Sequence, residues 1–337
     1  MLLSKARAFP SSERNMDYRT LQQTGLSVSR LCFGTMTFGA QTGQQDACNM
    51  VDRCLDAGIN FFDTANIYQT GTAEIMLGEA LGKRRSNIVL ATKVRGKMGD
   101  APEQSGLSKR AITTAIEESL RRLRTDYVDL YYFHQPDYDM PIEESMEAME
   151  RLVEQGKVRY PAVSNYASWQ VVQMLALAEK NRYRPATVAQ QMYNLLARGI
   201  EQEFLPMAKQ MGVSVVAYNP LAGGLLTGKH SRDSIAAGTR FDQNKMYQDR
   251  YWHPQDFDAL NRLKLVAADE KRSMISLALN WMLHHTGIDS VILGASRLEQ
   301  LNQTLAASEE GPLSPGAITR CDDVWRELRG PAPQYNR

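Results

Sequence analysis

Eight short apolar segments recur along the chain, and most of the gaps between them carry a helical pattern. SRLCFGTM, INFFDTA, NIVLATKV, VDLYYFH, VRYPAVS, ATVAQQ, VSVVAYNP and DSVILGA each read as a strand. Between the third and the fourth, Ser108 is placed to cap a helix. Its Ile112, Ala115, Ile116, Leu120 and Leu123 recur at three- and four-residue spacing, leaving Arg121, Arg122 and Arg124 in water. Parallel strands joined by such crossovers must be covered on both faces, so about eight of them over 337 residues predict an α/β protein with a closed (β/α)8 TIM barrel. A doubly wound open sheet is the second choice. Its dinucleotide-binding version needs Gly-x-Gly-x-x-Gly after an early strand, and that spacing does not occur, which excludes a Rossmann domain.

Bulk properties narrow the function classes. With 39 Lys+Arg against 38 Asp+Glu there is no electrostatic reason to expect nucleic acid or an anionic membrane as a partner. Cys32, Cys48, Cys54 and Cys321 are too few and too scattered for a disulfide framework or a paired-ligand zinc site, so a reducing cytoplasm and no metal are expected. No apolar run is long enough to cross a bilayer. Residues 1–15 read as a flexible leader and 16–337 as one barrel domain, because regular patterning starts with DYRTLQQTGLSVSRL and no composition shift marks a second domain.

The longest irregular piece, HSRDSIAAGTRFDQNKMYQDRYWHP, follows the seventh strand, and a loop of that length on a compact scaffold is typically a lid. Just before it, Gly223 to Lys229 has the glycine and lysine spacing of a P-loop, but His230 stands where Ser or Thr should coordinate magnesium. A nucleotide triphosphatase is therefore rejected. A glycine-rich segment whose amides and Lys229 meet another phosphate remains.

Chemistry gathers at the strand ends. INFFDTANIY runs from a buried strand into Asp63 and then Tyr68, NIVLATKV finishes around Lys93, and VDLYYFH finishes at His134. In a barrel of this kind the C-terminal strand ends form the reactive face. A tyrosine with an ordinary pKa near 10 transfers protons poorly at neutral pH unless a cation supports its phenolate, and a buried lysine keeps its charge only beside a carboxylate. Asp63, Lys93, Tyr68 and His134 thus suit proton transfer to a carbonyl oxygen. Taken one at a time, each also has an ordinary structural explanation.

In this order, DTANIY, TKV with Lys93, FH with His134, VSNYA, QQMYN and AYNPLAGGLLTGK resemble the aldo-keto reductases from Tyr18 to Asp322. The resemblance implies NADPH bound extended on a (β/α)8 barrel and reduction of aldehydes or ketones, with Tyr68 as proton donor, Lys93 and Asp63 tuning it, and His134 orienting the carbonyl. It implies that Ser164, Asn165 and Gln190 hold the nicotinamide carboxamide and that Tyr218 stacks on its ring. Gly34, Thr35 and Met36 match first-strand contacts. Asn219, Pro220 and Leu221, with Lys229, match the stretch around the pyrophosphate. Gly294, Ser296, Arg297, Gln300 and Gln303 match the site of the 2′-phosphate, where Ser296 and Glu299 also have the spacing of a capping box.

Within the family, YNPLAGGLLTGK, DRYW and EEGPL look most like the aflatoxin-aldehyde and succinic-semialdehyde reductase branch. The N-terminal RTLQQTGLSVSRLCFGTMTFG resembles bacterial and channel-β-subunit-like members, in which it forms a bottom-plugging hairpin. Two residues depart from the family pattern. Pro161 interrupts the fifth strand, which predicts a local pairing change, and Thr304 replaces an asparagine that normally contacts adenine. Arg250 in DRYW is placed to reach a carboxylate on the substrate; its alternative is a solvated loop arginine. His284 and His285 end a helix pattern and read as structural, as do Met274, Ala278 and Met282. The second functional reading is a cofactor-sensing auxiliary subunit on the same barrel. Expected partners are a small carbonyl substrate and, if any, further copies of the chain.

Overall fold

The structure, a computed structural model, describes residues 16–332, so the expected leader lies outside the described residues. A short antiparallel hairpin comes first, β1 (Tyr18–Thr20) and β2 (Ser27–Ser29). Then β3 (Leu31–Gly34), α1 (Gln44–Asp56), β4 (Phe61–Asp63), α2 (Thr72–Leu81), β5 (Val89–Val94), α3 (Lys109–Leu123) and β6 (Val128–Phe133) follow. The second half runs α4 (Ile142–Glu154), β7 (Val158–Ser164), α5 (Ser168–Asn181), β8 (Val188–Met192), α6 (Phe204–Met211) and β9 (Ser214–Tyr218). The chain ends with α7 (Lys245–Tyr251), α8 (Pro254–Asp269), α9 (Met274–His285), β10 (Ser290–Gly294), α10 (Leu298–Ser308) and α11 (Pro315–Arg329). β3 to β10 pair in parallel and close, with β10 returning to β3 from Val291↔Leu31 to Gly294↔Gly34. Each of the eight apolar segments holds one barrel strand.

Strand alternation divides the interior in two. One set of side chains, Cys32, Phe61, Val89, Leu130, Val188 and Val216 among them, fills the barrel itself. The other set, with Phe33, Phe62, Leu90 and Tyr131, packs outward against the helices. Leu21 and Val28 of the hairpin, both without solvent exposure, join the inner set and close the barrel from below. The hairpin is pinned there by polar bonds: Gln22 N donates to Ser214 Oγ at 2.9 Å, and Thr187 Oγ1 donates to Gln22 O at 2.9 Å. Both partners lie at the N-terminal ends of their strands, so only the C-terminal end stays open.

Four expectations need correction or refinement. Arg122 is buried and not in water, because α2 presents Glu74 to it: Arg122 Nε donates to Glu74 Oε2 at 2.7 Å. The long piece after β9 is not irregular throughout, since Asn244 accepts a bond from Tyr247 N and starts α7 within it. Ser296 does not form a capping box with Glu299. Instead α10 starts after Arg297 with no side-chain cap, and Ser296 N and Oγ both donate to Gln300 Oε1 at 3.0 Å. Pro161 is accommodated by pairing asymmetry: β7 pairs with β6 from Val128↔Val158 to Phe133↔Val163, but with β8 only at Val163↔Ala189 and Ser164↔Gln190, beyond the residue that lacks an N–H. His284 and His285 do occupy the last turn of α9, and His285 Nε2 accepts a bond from Leu313 N at 3.0 Å.

Candidate active site

A cleft of about 900 Å³ opens at the C-terminal ends of the strands. Asp63 ends β4 and Lys93 sits on β5, where both side chains point into the barrel and are screened from water. Lys93 Nζ donates to Asp63 Oδ1, to Thr64 O at 2.7 Å, and weakly toward Tyr68 Oη at 3.5 Å. Gln190 of β8 completes the carboxylate, its Nε2 donating to Asp63 Oδ2 at 2.9 Å. Burial works against the Lys93 charge, but the Asp63 carboxylate and Tyr68 outweigh it and the lysine pKa ends up raised. Burial raises the Asp63 pKa in turn, opposed by the Lys93 charge and by the hydrogen bonds from Lys93 and Gln190.

Tyr68 comes from the turn after β4, where Gln69 and Thr70 take left-handed φ values of 48° and 51°. Its ring stands edge-on to His134, with centroids 6.0 Å apart. Burial raises the Tyr68 pKa, and the neighbouring lysine opposes this without reversing it, so the side chain rests as a protonated phenol. Burial, with Lys93 and Arg95 adding to it, pushes His134 down to about 3, so its imidazole is neutral and keeps one N–H to donate.

Most of the residues matched to a cofactor line the same cleft. Ser164, Asn165, Gln190 and Tyr218 form its floor and side, with Asn219, Pro220, Leu221 and Lys229 beyond them. Gly294, Ser296, Gln300 and Gln303 line another part of it, with Gly34 next to Gly294 on the neighbouring strand and Met36 just beyond. Asn165, at φ 62°, accepts from Tyr218 Oη at 2.7 Å and donates to His134 O at 2.9 Å. Strained backbone recurs on this rim at Asn219, φ 66°, which suits a face built for binding and not for packing.

Two residues matched to the cofactor are off the cleft wall, whereas Thr304, the departure from the family pattern, is on it. Thr35 is fully buried and donates its N–H to Asp63 O at 3.0 Å, so it supports the floor. Arg297 is exposed and off the cleft wall. Thr304 reaches the wall, but its hydroxyl is committed to Gln300 O at 2.8 Å.

Arg250 does line the mouth, with its guanidinium 5.8 Å from the Tyr247 ring centroid. The sequence reading missed Arg95 and Arg240, which also line the cleft. Arg240 reaches across it, Nη1 lying 3.3 Å from Met36 Sδ. Arg240 carried no pattern, but Arg95 stands two residues past Lys93 at a strand end, and that position was a signal.

The lining of the cleft suits an anionic ligand. Asp63 is the only carboxylate among the described residues on its wall, and it is paired, whereas Lys229, Arg95, Arg240 and Arg250 all face the space. Ser164, Asn165 and Gln190 share the wall with Ser296, Gln300 and Gln303, of which Ser296 bonds Gln300 and Gln303 bonds Glu299. Among the described residues no group of three or more His, Cys, Asp or Glu is placed to hold a metal, and no helix is long and apolar enough to cross a membrane.

A parallel barrel carrying a buried Asp–Lys pair, a phenol and a neutral imidazole at one cleft has the arrangement of a barrel oxidoreductase. Residues 30–326 match the aldo/keto reductase family, and the chain belongs to that family. It is 37% identical over 322 residues to aflatoxin B1 aldehyde reductase member 2 of Rattus norvegicus, covering 90% of this chain and 86% of that one. It is 39% identical over 330 residues to the uncharacterized oxidoreductase YrpG of Bacillus subtilis, covering 95% and 99%. A probable voltage-gated potassium channel subunit beta of Oryza sativa is 35% identical over 317 residues, covering 92% and 96%.

Proposed function

We propose that the protein reduces aldehydes or ketones to alcohols with NADPH, acting in the cytoplasm as a single barrel domain over residues 16–337. Bound in the cleft, the nicotinamide would supply a hydride to the carbonyl carbon. Tyr68 then delivers its hydroxyl proton to the carbonyl oxygen, so that hydride and proton together make the alcohol, and solvent restores the phenol. Lys93 stabilises the phenolate left behind, and Asp63, itself held by Gln190 and Lys93, keeps that lysine charged. His134, neutral, donates a hydrogen bond to the same oxygen and fixes its approach.

The observation that carries this reading is the 3.5 Å approach of Lys93 Nζ to Tyr68 Oη at the edge of an otherwise closed ion-pair network, with both Tyr68 and His134 on the cleft wall. The similarity to a channel β subunit supports a second reading, a cofactor-sensing auxiliary subunit. Following NADPH oxidation with a small panel of aldehydes separates them. Steady turnover, faster with NADPH than with NADH, is expected of the reductase; one slow turnover without steady activity would favour the sensor.

A further inference from the structure

A third side chain meets Lys93 besides Asp63 and Tyr68. Tyr132 of β6 lies beside Lys93 in the register of the barrel, and both point inward without solvent exposure. Lys93 Nζ is 5.9 Å from the centroid of the Tyr132 ring and 5.1 Å from that of Tyr68. Both distances fall where the negative face of an aromatic ring attracts a cation. The neighbour of Tyr132 on its other side is Ala162, whose small side chain leaves the ring room inside the barrel. Tyr131, next in the chain and equally buried, points outward and packs against the helices.

The ring is the part of Tyr132 that serves Lys93. Its hydroxyl is buried and has no hydrogen-bond partner. The ammonium has no N–H to spare for it, since these go to Asp63 Oδ1, to Thr64 O and, weakly, to Tyr68 Oη. Other titratable groups that face Lys93 are Cys32 of β3, His134 after β6 and Tyr218 of β9, each neutral at rest. Asp63 draws the ammonium toward itself, whereas proton transfer needs it near Tyr68 Oη, 3.5 Å away. A ring face attracts the charge without taking an N–H, so it does not compete with a phenolate for hydrogen bonds. In a site closed to water that attraction is strong.

We propose that Tyr132 is a positioning residue for carbonyl reduction: the face of its ring, with that of Tyr68, holds the Lys93 ammonium charged and in reach of the Tyr68 hydroxyl. The proposal deepens the reductase reading and rests on it. When Tyr68 gives up its proton, Lys93 shifts its hold from Asp63 toward the new phenolate, and the Tyr132 ring attracts the charge in both arrangements.

The test weakens the ring face while keeping its shape. Tyr132→Phe is compared with variants carrying difluorophenylalanine or pentafluorophenylalanine at the same position, because each fluorine draws electron density from the face. kcat is measured with benzaldehyde and NADPH. The protonation of Lys93 is followed by NMR of protein whose lysines carry ¹³C at Cε, the resonance being assigned by its loss in Lys93→Met. Tyr132→Phe keeps the ring and removes only the unpartnered hydroxyl, so it is expected to hold kcat within about threefold and to unfold at no lower denaturant concentration. Along the fluorinated pair kcat should fall stepwise, by roughly ten- to thirtyfold with pentafluorophenylalanine, and the Lys93 titration midpoint should fall in the same order. A kcat and a Lys93 midpoint indifferent to fluorination would show that the ring only fills space. A full loss already at Tyr132→Phe would assign the effect to the hydroxyl, and either result overturns the proposal. Failure of the wild type to turn over benzaldehyde would count against the reductase reading, while the Lys93 midpoint across the series still decides whether the ring holds the ammonium.

Discussion

Thr92 and Lys93 are neighbours on β5, yet they serve two buried carboxylates on opposite sides of the barrel wall. Outward, Thr92 Oγ1 donates to Glu74 Oε1 at 2.5 Å, and Arg122 closes the other oxygen while also bonding Glu118 and Ser119. That network ties α2 to α3 and leaves none of its charges open. Inward, Lys93 and Asp63 form a similarly buried pair, but one direction from Nζ stays weakly used, at 3.5 Å toward Tyr68, and Tyr68 faces the cleft. Under the proposed function, two ion pairs of comparable burial do different work. What separates a structural pair from a reactive one is a single unsatisfied direction that leads to a space where a ligand can lie.

Removing the cation from each pair is the severest way to break this comparison. Lys93→Met should strand the buried Asp63 charge and remove the support of the phenolate, lowering kcat about 10²- to 10⁴-fold and lowering stability by about 3 to 5 kcal/mol. Arg122→Met should cost a similar 3 to 5 kcal/mol in denaturant unfolding but leave kcat per folded molecule within about twofold. Equal kcat losses in the two variants would erase the distinction between the pairs.

A smaller effect concerns the cofactor. Arg297 is exposed at the start of α10; if the proposed function has it pair with a ribose 2′-phosphate, Arg297→Ala should weaken NADPH by roughly 1.5 to 3 kcal/mol and leave NADH almost unchanged in fluorescence titrations. An unaltered affinity ratio would remove Arg297 from the cofactor site.

The pH dependence of unfolding tests the same face of the barrel through a slope. The folded His134 holds its pKa down to about 3 against an ordinary 6.5, so between these values the unfolded chain binds a proton that the folded one does not. This contribution to stability is present above about pH 6.5 and is lost as pH falls toward about 3, at no more than about 1.4 kcal/mol per pH unit. Unfolding curves of His134→Gln should fall less steeply than wild type through that window. Parallel curves would mean that the imidazole is not held neutral by burial.

The barrel was legible because strands buried on both faces are written as apolar runs, and the strand ends fall where those runs stop. Asp63, Lys93 and His134 could be read for that reason. Arg122 could not, because its arginine sits in a helical pattern on a face expected to be wet, and the Glu74 that buries it lies 48 residues earlier in the chain. The Ser296 cap failed for a local reason: Gln300 offers a carbonyl oxygen that competes for the serine hydroxyl. Arg95 stayed hidden because neither a φ of 124° nor a missing partner leaves a mark in the sequence.

The central claim is that the open direction of the inner ion pair works through the Tyr68 hydroxyl, and kcat of Tyr68→Phe tests it most directly. The ring volume and the Asp63–Lys93 pair survive this change, so folding and cofactor affinity serve as internal controls. The account predicts a fall of at least about a hundredfold in kcat with NADPH affinity and thermal midpoint unchanged. A variant that keeps its turnover to within about threefold of wild type would contradict it.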